Sequence, residues 1–183
     1  MSTDSLLQGD NTVDADLASA VVSIEQLINE HYAVLYRYAF RLAGNQTDAE
    51  DLTQQCFLTA HRKLHQLRDA KAARNWMFQI LRTAFFKLCR KRRPVLAADT
   101  EVEMELVEEV AASDQPFDLE HLQLRLNELP EIYRTILLMF YFEGKSYEEI
   151  STNLDIPMGT VMSRLSRAKS QLRTRVRPME PTK

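Results

Sequence analysis

The chain has 183 residues, with 26 acids against 23 Lys and Arg and a formal charge of −3, a size that suits one domain or two small ones. Four glycines leave little room for a Gly-rich phosphate loop or for a strand-rich fold that needs many tight turns. No apolar run approaches the roughly 20 residues of a membrane-spanning helix, the N-terminus has acids but no basic segment and is not a secretory signal, and two cysteines point to a reduced, cytoplasmic setting.

In chain order, residues 1–23 form an acidic extension with Asp4, Asp10, Asp14 and Asp16. Apolar spacing then predicts helices over 24–43, 48–66 and 72–92. Thr47 and Glu50 have capping-box spacing at the start of the second. Ala49, Leu52, Cys56, Phe57 and Ala60 form its buried stripe, which leaves Asp48, Glu50, Asp51, Gln54 and Gln55 outside. In the third, Trp76, Ile80, Phe85 and Leu88 read as core. Residues 61–93 hold eleven Lys or Arg and one acid, Asp69. This basic block includes Arg68, Lys71, Arg74, Arg82, Arg90 and Arg93, and Pro94 ends it.

Residues 95–117 read as an acidic linker, since nine acids and no base lie within 95–120. Helices are predicted again over 119–127, 131–142, 147–154 and 158–174. Pro130 suits a helix start, Gly144 a left-handed C-terminus, and Ser146 and Glu149 a second capping box. A short helix, the tight connection Asp155-Ile156-Pro157 and a longer basic helix make a helix-turn-helix pattern. The longer helix buries Val161, Leu165, Ala168 and Leu172. Its other face carries Thr160, Ser163, Arg164, Arg167, Lys169 and Arg173 with no acid. Such a face suits the DNA major groove, where Arg reads guanine and a carboxylate would repel phosphate. Two basic blocks parted by an acidic one suggest two surfaces for a polyanion. Residues 118–177 form the second domain and 178–183 a tail.

Enzymatic signals are weak. His61 and His65 are four apart, but Arg-Lys-Leu between them opposes a cation. Cys56 and Cys89 read as structural thiols. No catalytic set and no cofactor are implied.

The run LNELPEIYRTILLMFYFEGKSYEEISTNLDIPMGTVMSRLSRAKSQLR (126–173) resembles region 4 of the bacterial sigma factors. Residues 24–94, with AGNQTDAEDLTQQCFLTAHRKL (43–64), resemble region 2. Length and the missing middle domain are similar to the small extracytoplasmic-function class. The resemblance implies an all-α protein of two small helical domains joined by the acidic linker. It implies that Thr160, Ser163, Arg164 and Arg167, with Lys169 beside them, meet the upstream promoter element near minus thirty-five. It implies that Asp48, Glu50, Asp51, Gln54 and Gln55 meet the clamp of core RNA polymerase. The loop 65–75 and following helix, with Arg68, Lys71, Arg74, Asn75, Arg82, Arg90 and Arg93, would hold the melted strand near minus ten. An anti-sigma partner is implied too. Ser151, Asp155 and Met162 depart from the family's common Ala, Gly and Lys. Thr83 and Lys87 stand where Asn and Asp are common. Two other readings stay open: a stand-alone helix-turn-helix regulator, and a sigma mimic that sequesters an anti-sigma factor.

Overall fold

A computed structural model describes residues 22–92 and 119–176. The expectations for the N-terminal extension, the acidic linker, Arg93 and the tail fall outside the described residues. Seven α-helices are described, and no strand occurs among these residues: α1 (Ile24–Ala43), α2 (Gln46–Arg62), α3 (Ala73–Arg92), α4 (Leu119–Asn127), α5 (Glu131–Tyr141), α6 (Tyr147–Leu154) and α7 (Met158–Val176). Single 3-10 turns at Leu64–Gln66 and Ala70–Ala72 join α2 to α3.

Helices α1 to α3 pack around Leu35, Tyr38, Leu42, Cys56, Met77, Phe78 and Leu81. The stripe expected on α2 is buried. Burial pushes the Cys56 thiol up to about 12, so it stays protonated and inert. Of the apolar residues expected in the α3 core, Phe85 is buried, while Trp76, Ile80 and Leu88 pack half-buried at its edge. Helices α4 to α7 enclose a second core of Leu126, Tyr133, Ile136, Met139, Ile150, Val161, Leu165 and Ala168.

Local signals explain most helix ends. Ser146 and Glu149 form the expected capping box, and Gly144 is left-handed with φ 71°. The Thr47–Glu50 box is not used. Asn45 caps α2 instead, accepting from the Asp48 amide, and the helix starts at Gln46. An Asn side chain reaches the third amide as readily as Thr does, and Gly44 at φ 80° frees it to do so. Helix α2 also ends at Arg62, which takes His65 off the helix that was expected to carry both histidines.

The two bundles are packed on each other. Leu138 of α5 is buried in the N-terminal core. Phe142 meets Tyr38 and Phe78 at ring distances of 5.4 and 6.1 Å. Arg134 donates to the Leu42 carbonyl at the end of α1, and to the Asn127 and Leu129 carbonyls at 3.0 and 3.1 Å. Burial lowers its pKa from the ordinary value. Asn127 donates to the Gly44 carbonyl (3.2 Å) and accepts from Gln123 (2.9 Å), which itself accepts from Arg41 (3.0 Å).

These contacts make the two left-handed glycines unequal. An added Cβ at Gly144 meets nothing within 4 Å, whereas at Gly44 it stands 2.1 Å from the Asn127 Oδ1. Gly144→Ala is expected to cost about 1–2 kcal/mol of backbone strain. Gly44→Ala is expected to cost more, because Asn127 must swing away from the joint. Urea unfolding midpoints of the two variants check the order.

Candidate nucleic-acid and polymerase interfaces

The residues expected on α2 divide into four and one. Glu50, Asp51, Gln54 and Gln55 are exposed. Asp51, Gln54 and Gln55 share the wall of a groove of about 770 Å³ between α2 and α3, faced by Trp76, Ile80, Thr83 and Lys87. Asp48 lines the same groove, but it is not outside as expected: it is 6% exposed. Its two oxygens accept hydrogen bonds from Arg92 at the end of α3, and one accepts from Asn45 at 2.7 Å. With α2 opening at Asn45, Asp48 falls on the turn that looks toward α3. There the Arg92 guanidinium, ahead of the opposing effect of burial, holds the Asp48 carboxyl below its ordinary 3.8.

Among the residues expected to meet a melted strand, Arg68, Lys71, Arg74, Asn75 and Arg90 are exposed. Asp69 shapes the loop by accepting from the Lys71 amide at 2.9 Å. The Arg74 guanidinium lies 5.6 Å over the Phe78 ring, a cation–π contact that orients it. Arg82 lies elsewhere. It is 3% exposed and turned into the joint between the bundles. There it pairs with Glu143 and donates to the Asn153 side chain at 3.3 Å. Tyr38 donates to the same Glu143 oxygen at 2.6 Å. Burial alone would lower the Arg82 pKa, but the Tyr38 and Glu143 oxygens outweigh it and raise it. Burial, then the Glu143 charge, raises the Tyr38 hydroxyl well above its ordinary range. Tyr38 therefore stays a hydrogen-bond donor.

Helix α7 is held by its turn. Asp155 takes the left-handed conformation, φ 53°, that its position demands, at modest cost for Asp. The Ser151 hydroxyl donates forward to the Ile156 carbonyl at 2.6 Å, bridging the turn rather than bonding back along its own helix. Val161, Leu165 and Ala168 are buried and Leu172 is half-buried. The opposite face presents exposed Ser163 and half-buried Thr160, Arg164, Arg167 and Lys169. The Ser163 hydroxyl donates to the Thr160 carbonyl at 3.0 Å, which leaves its lone pairs outward.

Sequence reasoning missed the joint. Tyr38, Gln123, Asn127, Arg134 and Glu143 were assigned no role. One signal existed: Arg134 interrupts an apolar run, IYRTILLMF, on a helix otherwise fit for burial. Among the described residues no helix is long and apolar enough to cross a membrane.

Two bundles, one ending in a basic helix after an exposed acidic one and the other a helix-turn-helix, define a sigma-type architecture. The sigma-70 region 2 family model matches residues 27–95, and the sigma-70 region 4 model matches residues 119–172. The ECF sigma factor SigL of Mycobacterium tuberculosis is 32% identical over 179 residues, covering 93% of this chain and 98% of SigL. SigE of Mycolicibacterium smegmatis is 34% identical over 163 residues, covering 85% of this chain and 62% of SigE. The sigma factor RpoE of Bartonella quintana, solved in complex with the anti-sigma factor NepR, matches with a TM-score of 0.65 and 27% identity, over 85% of this chain and 98% of that one. The chain belongs to the ECF RNA polymerase sigma factors.

The Asp48–Arg92 pair carries a pH signature. A depressed carboxylate stabilises the fold above its unfolded pKa, and that contribution is lost as pH falls through the lower folded value. Asp48→Asn is therefore expected to lower stability by about 1 kcal/mol at pH 7, since Arg92 is largely exposed. The difference from the parent shrinks below pH 4 and vanishes under the folded value, and thermal melts across pH 2–7 check it.

Proposed function

We propose that the chain directs core RNA polymerase to promoters and assists their opening. It acts by binding in the cytoplasm and carries out no catalysis of its own. The observation that carries this reading is the pairing of an acid-free α7 face with a separate exposed basic loop in one chain.

The reading assigns three roles. Asp51, Gln54 and Gln55, with Glu50 beside them, give α2 a polar, acidic face suited to a basic helical hairpin of the polymerase. Arg164 and Arg167, with Thr160, Ser163 and Lys169, grip duplex DNA at the upstream element. Residues near the start of such a helix reach base edges, and the later cations hold phosphate. Arg68, Lys71, Arg74, Asn75 and Arg90 line a cationic track for the opened strand, where a splayed base is held by stacking and hydrogen bonds. Arg82 joins that track only when the joint between the bundles is apart. RpoE's complex with NepR supports an anti-sigma partner for this chain as well.

The stand-alone regulator has no use for the α2 groove, and the sigma mimic has none for the α7 cations. Run-off transcription on genomic fragments with purified core polymerase and this chain separates all three. Specific transcripts are expected. Arg164→Ala or Arg167→Ala is expected to weaken holoenzyme binding to those promoters by about 1–3 kcal/mol for each bidentate pairing to a base that it removes. No specific transcripts and no promoter binding by the holoenzyme would favour the mimic, and duplex binding without any affinity for core polymerase would favour the regulator.

A further inference from the structure

The cationic track along α3 has a gap. Asn75 and Arg90 mark its ends, about 22 Å apart at 1.5 Å per helical residue. Arg82, expected between them, is buried in the joint. Three other exposed side chains occupy that interval: Gln79, Thr83 and Lys87. They follow Asn75 at steps of four residues, so with it they form one slowly turning ridge on the outside of the helix. Arg90 continues the ridge three residues past Lys87. The Thr83 hydroxyl donates to the Gln79 carbonyl at 2.8 Å, which leaves its lone pairs outward. Half-buried Trp76 and Ile80 lie beside the ridge, and Gln79, Thr83 and Lys87 are the α3 rim of the groove that α2 walls on its other side.

The two walls differ in charge. Helix α2 contributes Asp51, and Asp48 already neutralised by Arg92. Helix α3 contains no Asp or Glu. An ordinary solvated face would mix signs, because opposite charges four residues apart support a helix. An acidic protein surface would be met by cations throughout. The ridge instead carries two carboxamides and a hydroxyl in its first part and cations in its last. Neutral hydrogen-bonding groups suit base edges, and cations suit phosphate. A carboxamide presents a donor and an acceptor side by side, which matches adenine. A lysine ammonium serves as a point charge for a phosphate.

We propose that Gln79 specifies an adenine of the downstream element and that Lys87 holds a phosphate beside it. The proposal rests on α3 meeting the promoter, as the functional reading has it. Both side chains are exposed, so truncating them opens no cavity. The test uses holoenzyme and the promoter fragment it transcribes most strongly. Each adenine of the downstream element is replaced in turn by deoxynebularine, which lacks only the 6-amino group. Binding by the parent is expected to fall about tenfold at one adenine, and Gln79→Ala should lose that penalty at the same position and keep any penalties elsewhere. Lys87→Ala should leave the base preference intact and lower the slope of log K against log salt by about 0.7–0.9, the share of one phosphate.

Penalties that are identical in the parent and in Gln79→Ala at every adenine overturn the base contact. An unchanged salt slope in Lys87→Ala overturns the phosphate contact. Promoter-specific transcription survives both of those results, so the functional reading would stand without the proposal. A parent holoenzyme that binds no promoter fragment overturns that reading and the proposal together.

Discussion

The arrangement of the molecule depends on a charge buried between two bundles. Glu143 lies at the end of α5, just before a left-handed glycine, and reaches Arg82 in the middle of α3. Neither side chain keeps water. Removing one partner of such a pair typically costs about 3–5 kcal/mol, whereas an apolar replacement of both is often neutral. A pair of this kind is thus a poor source of net stability but a sharp condition on geometry. The aromatic cluster of Tyr38, Phe78 and Phe142 supplies apolar burial around it, and Arg134 and Asn127 tie the far side to backbone carbonyls.

This joint also sorts the basic block. Eleven Lys and Arg lie within residues 61–93, yet they are not one surface. Arg82 is consumed by the joint and Arg92 by Asp48, while Arg68, Lys71, Arg74 and Arg90 stay exposed. The cations left outward cluster at the loop before α3 and at its end. Helix α7 supplies none of the side chains named at the joint. It packs on α4, α5 and α6, and its turn is secured by Ser151 and Asp155.

Helix positions were legible because caps and apolar spacing are local. The second capping box, the glycine at 144 and the buried faces of α2 and α7 could all be read from a few neighbouring residues. The start of α2 was misjudged because Asn45 and Thr47 both offer a cap and only the turn at Gly44 decides between them. Asp48 and Arg82 were misplaced for a different reason. Each is a charged residue on a helix, and nothing local says that Arg92 stands across from one or Glu143 across from the other. Those partners are 44 and 61 residues away. Charge counting gave the sign of each block and could not tell which members were already paired.

The most direct measurement is the distance between the bundles in the free chain and in the promoter-bound holoenzyme. Dyes at Leu58→Cys on α2 and Thr152→Cys on α6, both exposed positions, with Cys89→Ser and the buried Cys56 left in place, would report it. The account predicts a short distance in the free chain, within the roughly 40 Å of a compact molecule, and a clearly longer one on the promoter. An equal distance in both would contradict it.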